Sequence, residues 1–596
     1  MSQTGDPRRP DIRDANMTRT FATAAQNTRP AVPVRYAPAT RNRQLHKRYT
    51  GCYKTLEVTG NAKVLGTPEG GKKTAKACKQ PSCWRLPVTN QPAMEIMADT
   101  LERTRKNVAL ASTGIAGLDE VVGGGLPPGR LYLVQGDPGV GKTTLALQFL
   151  MAGRQRDETT LYVTLSETIE ELKVVTQSHG WSLDGIALFE LPTWESVAGQ
   201  DENTLFHPAE IELAETIKTL LARIDDVKPS RVVLDSLSEI RLLSQGPLRY
   251  RREVLALKQY FAGRGCTVLM LDDRTSEPGD LQLQSIAHGV FSLEQLSPLY
   301  GAERRRMHVV KLRGSKFRGG YHDFVLETGG IRVFPRLIAA EHKTAFPPAV
   351  ISCGIPALDE LVGGGLDRGT STLLMGPAGC GKSTVACQYV RAAALRGERS
   401  AIFAFDESET TLLTRSASLG QDLKPQLDAG TVEFRQIDPA ELAPGEFTAQ
   451  VREAVEQRNV RLVVIDSLNG YLHAMPEETF LLLQLHELLT YLGQMGVVTL
   501  MVVAQHGLVG QMDTPVDVSY LADGVIVFRH FEVDGRLRKA VSMLKRRSGA
   551  HETTIRELSM GPAGLNVGTP FTDLHGIMSG MPEHERTRRW DGPGTR

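Results

Sequence analysis

The sequence is poor in cysteine. Seven in 596 residues, at positions 52, 78, 83, 266, 353, 380 and 387, are too few and odd in number for a disulfide framework, and they fit a reducing compartment. Cys78 and Cys83 would supply half of a metal knuckle, but no second Cys/His pair at ligand spacing follows nearby, so no metal site is expected there. Long apolar runs are also absent: stretches such as Val497–Ala504 reach about eight residues, against the roughly 20 that cross a bilayer, and read as buried strands. No apolar block follows the charged first residues, so a secretory leader is not expected and the cytoplasm is the expected location. Nor is there an excess of one charge. The 69 Lys/Arg face 68 Asp/Glu, a net of +1, which argues against a chain-wide attraction to nucleic acid or membrane.

What is present is the composition of a soluble globular protein, 41% hydrophobic and 23% charged, in a chain too long for one core. Two domains with extensions are expected. Residues 1–93 are rich in Pro, Thr, Asn, Arg and Lys without an apolar period and read as largely disordered. They hold 17 Lys/Arg against 5 Asp/Glu, a surplus of 12, which would suit an anionic surface or nucleic acid. A solvated tail, or an upstream extension of a frame starting near Met94 or Met97, are the plainer readings.

The strongest signal is internal repetition. Thr113–Leu126 (TGIAGLDEVVGGGL) returns as Cys353–Leu366 (CGIPALDELVGGGL), and the loop Gly136–Thr144 (GDPGVGKTT) returns as Gly376–Thr384 (GPAGCGKST). Arg231–Leu237 returns as Arg461–Leu468, and Val310–Ser315, more loosely, as Leu544–Ser548. Short apolar runs alternate with helical patterns such as Thr144–Gly153, which predicts βαβ units and a mainly parallel sheet flanked by helices, class α/β. The expected layout is a basic N-terminal extension over 1–107, a first domain over 108–336, a linker over 337–350, a second domain over 351–568 and a tail over 569–596.

In each loop the glycines, Gly136, Gly139 and Gly141 in one copy and Gly376, Gly379 and Gly381 in the other, let backbone N–H groups turn inward as a phosphate nest at a helix start. Lys142 and Lys382 would reach the β/γ-phosphates, Thr143 and Ser383 would offer a hydroxyl to Mg²⁺, and Thr144 and Thr384 complete the loops. Asp235 and Asp466, each closing a buried strand, are the acidic anchors for the metal. Glu167 in the first copy, and Asp406 with Glu407 in the second, end the strand after the loop helix, where a carboxylate can orient or deprotonate water. ATP and Mg²⁺ are the expected ligands. Helix capping for the aspartates and a solvated strand end for the glutamates are the structural alternatives.

Duplicated in this way, these motifs resemble the KaiC circadian-clock ATPase family of the RecA-like superfamily, over about residues 108–568. The resemblance implies two tandem RecA-like P-loop ATPase domains in a hexamer with ATP between subunits, hydrolysis in the first domain and autophosphorylation in the second. It carries Lys311 and Arg313, and Lys545 and Arg547, onto the basic pair that reaches a neighbour's γ-phosphate, although Arg547-Ser548 replaces the family's Arg-Gly. The family's adjacent glutamates are here Ser166-Glu167 and Asp406-Glu407, so hydrolysis in the first copy would rest on Glu167. Ser519 falls at the family's phosphoacceptor serine and Tyr520 at its threonine. A helix cap and a packed aromatic are the alternatives for that pair. Gly576–Gly580 loosely resembles the family's C-terminal segment, whereas the arginine-rich run from Glu585 to Arg589 does not.

The resemblance implies an ATP-hydrolysing ring that acts as a timing or signalling switch, with clock or signalling proteins as partners. A RecA-type DNA recombination or repair ATPase is the alternative. It would need basic loops after the Asp-ended strand, yet Ser238–Tyr250 has only Arg241 and Arg249 and Asn469–Glu478 has none, so nucleic acid is expected at most on the N-terminal arm. A scaffold that binds ATP without turnover is compatible with Ser166.

Overall fold

A computed structural model describes residues 109–191, 208–244, 246–274, 282–298, 300–472, 478–505, 507, 518–580 and 582–584. The basic N-terminal segment, Cys52, Cys78, Cys83 and the run Glu585–Arg589 lie outside the described residues.

The first repeat builds a nine-stranded sheet from β1 (Leu131–Gln135), β2 (Thr160–Thr164), β3 (Ala187–Glu190), β4 (Arg231–Asp235), β5 (Thr267–Asp272), β6 (Gly289–Leu296), β7 (Arg304–Leu312), β8 (Tyr321–Glu327) and β9 (Gly330–Phe334). Its order is β3-β2-β4-β5-β1-β6-β7-β8-β9. The strands from β3 to β6 pair in parallel, and β7, β8 and β9 extend the sheet antiparallel. The second repeat has β10 (Ser371–Gly376), β11 (Arg399–Ala404), β12 (Val432–Gln436), β13 (Val460–Asp466), β14 (Val498–Ala504), β15 (Gly524–Val533), β16 (Arg536–Arg546), β17 (Arg556–Gly561) and β18 (Gly564–Pro570). Their order, β12-β11-β13-β14-β10-β15-β16-β17-β18, is that of the first sheet.

The central parallel strands are continuous apolar runs because helices cover both faces. Along β1, Tyr132 and Val134 join Phe149, Tyr162, Val233 and Phe291 on one side, while Leu131 and Leu133 join Val163, Leu234, Val254 and Phe261 on the other. Phe149, on the loop helix Lys142–Arg154, is fully buried, and cutting it to Ala would cost about 3–5 kcal/mol. Placing β1 between β5 and β6 sets the loop after it beside the carboxyl ends of β4 and β5, the edge where ligands bind in open α/β sheets.

The two repeats touch through polar contacts with few alternatives. The buried Arg304 guanidinium donates to the carbonyls of Pro439, Ala440 and Glu441 at 2.7–2.8 Å, and Asp323 accepts from the N–H of Gly445 at 2.7 Å. Burial raises the Asp323 pKa, opposed by that hydrogen bond and by Arg304 and Arg306. The segment 337–350, expected as a linker, is anchored at its start: Leu337 and Ala339 belong to the apolar core of the second repeat, and the Ala339 N–H donates to Glu487 at 3.1 Å. Near the C-terminus Ile577, in a short 3-10 turn, packs with Phe531. The four described cysteines are buried free thiols, and among the described residues no helix is long and apolar enough to cross a membrane.

Candidate active sites

Both phosphate-type loops run from a central strand into a helix, Lys142–Arg154 in one repeat and Lys382–Leu395 in the other. The residue before each helix is a glycine at φ 109°, the left-handed region that side chains avoid; a Cβ at Gly141 would lie 3.1 Å from Leu326 and one at Gly381 2.9 Å from Met560. No side chain caps either helix, which leaves the first-turn N–H groups to an anion.

In the first repeat, Lys142 Nζ donates to the Gly136 and Asp137 carbonyls at 2.9 and 2.8 Å and pairs with Asp273 Oδ1 at 2.8 Å. An anion already holds the ammonium where a phosphate would. Thr143 Oγ1 donates to Asp235 Oδ2 at 2.8 Å, and the Tyr162 hydroxyl donates to the same oxygen. Burial raises the Asp235 pKa, against the lowering effect of those two hydroxyls. Glu167 shares with these groups a cleft of about 560 Å³, lined also by Gly139, Gly141, Ser166, Ser238, Glu239 and Asp273. Desolvation, then the negative charge of Asp235, Glu171 and Asp273, raises the Glu167 pKa, so its carboxylate is a better base than a solvated one.

The second repeat keeps the frame and changes the wiring. Lys382 Nζ donates to the Gly376 and Pro377 carbonyls at 2.9 and 2.7 Å, and the Ser383 hydroxyl bonds Asp466, whose pKa burial raises. The strand register that sets Asp272 beside Gln135 sets Ala504 beside Gly376, so Ala504 takes the place of Asp273. Ser467 Oγ donates to Asp406. Glu407 is held by Arg415, with Nε to Oε1 at 2.9 Å and Nη2 to Oε2 at 2.8 Å.

The donor sets fit the ligands expected from sequence. A hydroxyl and one carboxylate, Thr143 with Asp235 and Ser383 with Asp466, would hold Mg²⁺ that keeps its waters and shares phosphate oxygens. Among the described residues no group of three or more His, Cys, Asp or Glu could hold a metal alone. The 560 Å³ cleft and the open space around Gly139 leave room for a nucleotide on the first loop.

Lys311, Arg313, Lys545, Arg547 and Ser519 do not join the loops of their own repeats. Leu312 pairs with Gly289, which pairs with Tyr132 near the start of β1, whereas the loop follows its end. In the second repeat Arg546 pairs with Gly524, itself beside Thr372 near the start of β10. Each basic pair grips backbone at that far edge, a short helix in the first repeat and a turn in the second: Lys311 on the Gln284 carbonyl and Arg313 on that of Ser285, Lys545 on the carbonyls of Ser519 and Ala522, and Arg547 on Tyr520 and Asp523. Ser519 is half-buried in a turn rather than a helix cap, and Tyr520 is 56% exposed rather than packed.

Sequence reasoning missed Tyr162, Asp273 and Arg415. Asp273 had a signal, a second acid after the strand-ending Asp272. Tyr162 and Arg415 had none, since their partners are set by strand pairing and side-chain direction.

Comparison with known proteins agrees with the geometry. The sequence model of the KaiC ATPase family matches residues 111–338 and again 351–571. The chain is 27% identical over 491 residues to "Circadian clock oscillator protein KaiC" of Acaryochloris marina, covering 81% of this chain and 92% of that protein. It is 26% identical over 497 residues to "Circadian clock protein KaiC3" of Synechocystis, covering 81% and 96%. With the Synechococcus elongatus KaiC it shares 27% over 487 residues, covering 80% and 92%.

Proposed function

The chain belongs to the KaiC ATPase family, and from that premise we propose that it is a ring-forming ATPase that acts in timing or signalling and phosphorylates itself on Ser519. ATPase activity follows from the family. The finer reading rests on one observation: Lys311/Arg313, Lys545/Arg547 and Ser519 lie at the sheet edge opposite their own nucleotide loops. A β-strand advances about 3.3 Å per residue, so the five residues of β1 hold the two edges roughly 15 Å apart. The basic pairs therefore serve the loop of an adjacent copy, and a closed ring, hexameric as the family resemblance implies, gives every loop a donor pair.

In the first domain Lys142 and the loop N–H groups bind the phosphates of ATP; Thr143 and Asp235 would hold Mg²⁺, which would supply neutralisation of phosphate charge. Asp273 releases Lys142 as phosphate takes its place. Glu167 accepts a proton from the water that attacks the γ-phosphorus, the bond to the β-phosphate oxygen breaks and ADP leaves, while Lys311 and Arg313 of a neighbour stabilise charge on the γ-phosphate. In the second domain Lys382 would bind the phosphates of ATP, and Ser383 with Asp466 would hold Mg²⁺, in the same way. The Ser519 hydroxyl of a neighbour attacks the γ-phosphorus, the bond to the β-phosphate oxygen breaks, ADP leaves and Asp406 takes the hydroxyl proton.

Incubation of the protein with Mg-ATP, with peptide mass spectrometry and ADP release followed in parallel, tests this reading. Phosphate on Ser519 that vanishes in Ser519→Ala, with ADP release continuing, is the expected result. ADP release with no phosphopeptide would remove the autokinase from the account.

A further inference from the structure

The two strand-end glutamates stand at matching positions, yet one faces its cleft and the other is bound on both oxygens. Superposing the motifs sets Glu167-Thr168 on Glu407-Ser408 and therefore Val175 on Arg415. Arg415 is itself braced from the loop helix: Nη1 lies 3.4 Å from Thr384 Oγ1, and Nη2 lies 3.9 Å from the buried Cys387 Sγ. The first repeat keeps the threonine, as Thr144, but has Leu147 where the second has Cys387, so the clamp and the thiol contact behind it are missing there. Arg415 is 25% exposed and Glu407 20%, so water screens the pair only in part.

We propose that Arg415 is a positioning residue that withholds Glu407 from water, so that the second site keeps ATP which the same frame hydrolyses in the first. This deepens the functional reading above and rests on it, because it takes Glu167 and Glu407 as equivalent carboxylates. A base needs a lone pair turned to the water. A bidentate guanidinium engages both oxygens of the carboxylate and fixes its orientation toward the arginine. Arginine stays protonated at any physiological pH, so pH does not open the clamp. Among the described residues, Glu407 also interacts electrostatically with Asp466 on β13 and with Cys387 on the loop helix, and Asp406 and Glu409 flank it in sequence.

The test uses full-length protein carrying Glu167→Gln, which silences the first site, with Mg-ATP and ADP release as readout. Adding Arg415→Val, the residue found in the first repeat, is expected to raise ADP release at least about tenfold, since a freed general base contributes about 10²–10⁴ in rate. Glu407→Gln on top should cancel the gain. The gain should fall on kcat with the KM for ATP unchanged, a split that mere loosening of the domain would not produce. If Arg415→Val leaves release unchanged while Glu167→Gln alone has cut it, the clamp is wrong and the functional reading stands. If Glu167→Gln leaves wild-type release intact, the equivalence of the carboxylates is wrong and both fall. Should Arg415→Val fail to fold, the reciprocal change Leu147→Cys with Val175→Arg carries the same test, and is expected to slow the first site about tenfold or more. An unchanged rate in that variant, with the protein folded, would overturn the proposal.

Discussion

The two repeats share a strand order and a loop geometry, and they differ in what touches the groups that matter. In the first, Asp273 neutralises Lys142, Tyr162 steadies Asp235, and Glu167 is left with acidic neighbours that raise its proton affinity. In the second, Ala504 and Ile402 replace the acid and the phenol, and Arg415 binds the glutamate. The shared geometry suits a nucleotide's phosphates, and the differences lie in a few side chains around it.

The sharpest way to break the comparison is to neutralise the two glutamates separately. Glu167→Gln should lower total ADP release about 100-fold or more, as expected for losing a general base, whereas Glu407→Gln should change it little. The acid limb of ADP release comes next. As a base Glu167 works deprotonated and its pKa is raised, so activity should fall by on the order of tenfold per pH unit below that raised value, with an onset at higher pH than a solvated glutamate would give. Glu167→Gln should erase this limb. Arg304→Ala tests the contact between the repeats: it removes the arginine's bonds to the Pro439 and Glu441 carbonyls and one of two donors to Ala440, each bond worth about 1 kcal/mol, so thermal unfolding should shift down by several degrees or split into two transitions. The smallest effect is expected from Tyr162→Phe, which loses one hydrogen bond to Asp235, about 1 kcal/mol in first-domain stability by denaturant titration, with Mg-ATP still bound.

Much of this was legible in the sequence. Glycines at fixed offsets, buried strands ending in Asp235 and Asp466, and the paired GLDE and ALDE segments are local signals, and strand, loop and helix form where they stand. The sheet class followed from the alternation of short apolar runs with helical periods. Contacts that depend on strand order or on side-chain direction were hidden. Asp273 reaches Lys142 only because β5 lies beside β1, and Tyr162 reaches Asp235 because β2 pairs with β4. Arg415 sits eight residues past Glu407 and meets it because helical side chains lean back toward the N-terminus. The family resemblance supplied Ser519, Lys311, Arg313, Lys545 and Arg547; fold topology supplied the reason why they face away from their own loops.

The central claim is that one site turns ATP over while the other retains it. Purified protein at steady state with Mg-ATP, rapidly desalted, denatured and assayed for bound nucleotide, measures this directly in the wild type and in Glu167→Gln. The account predicts ADP with ATP in the wild type and ATP almost alone in Glu167→Gln. Bound ADP persisting undiminished in Glu167→Gln would mean that the second site hydrolyses freely, and would contradict it.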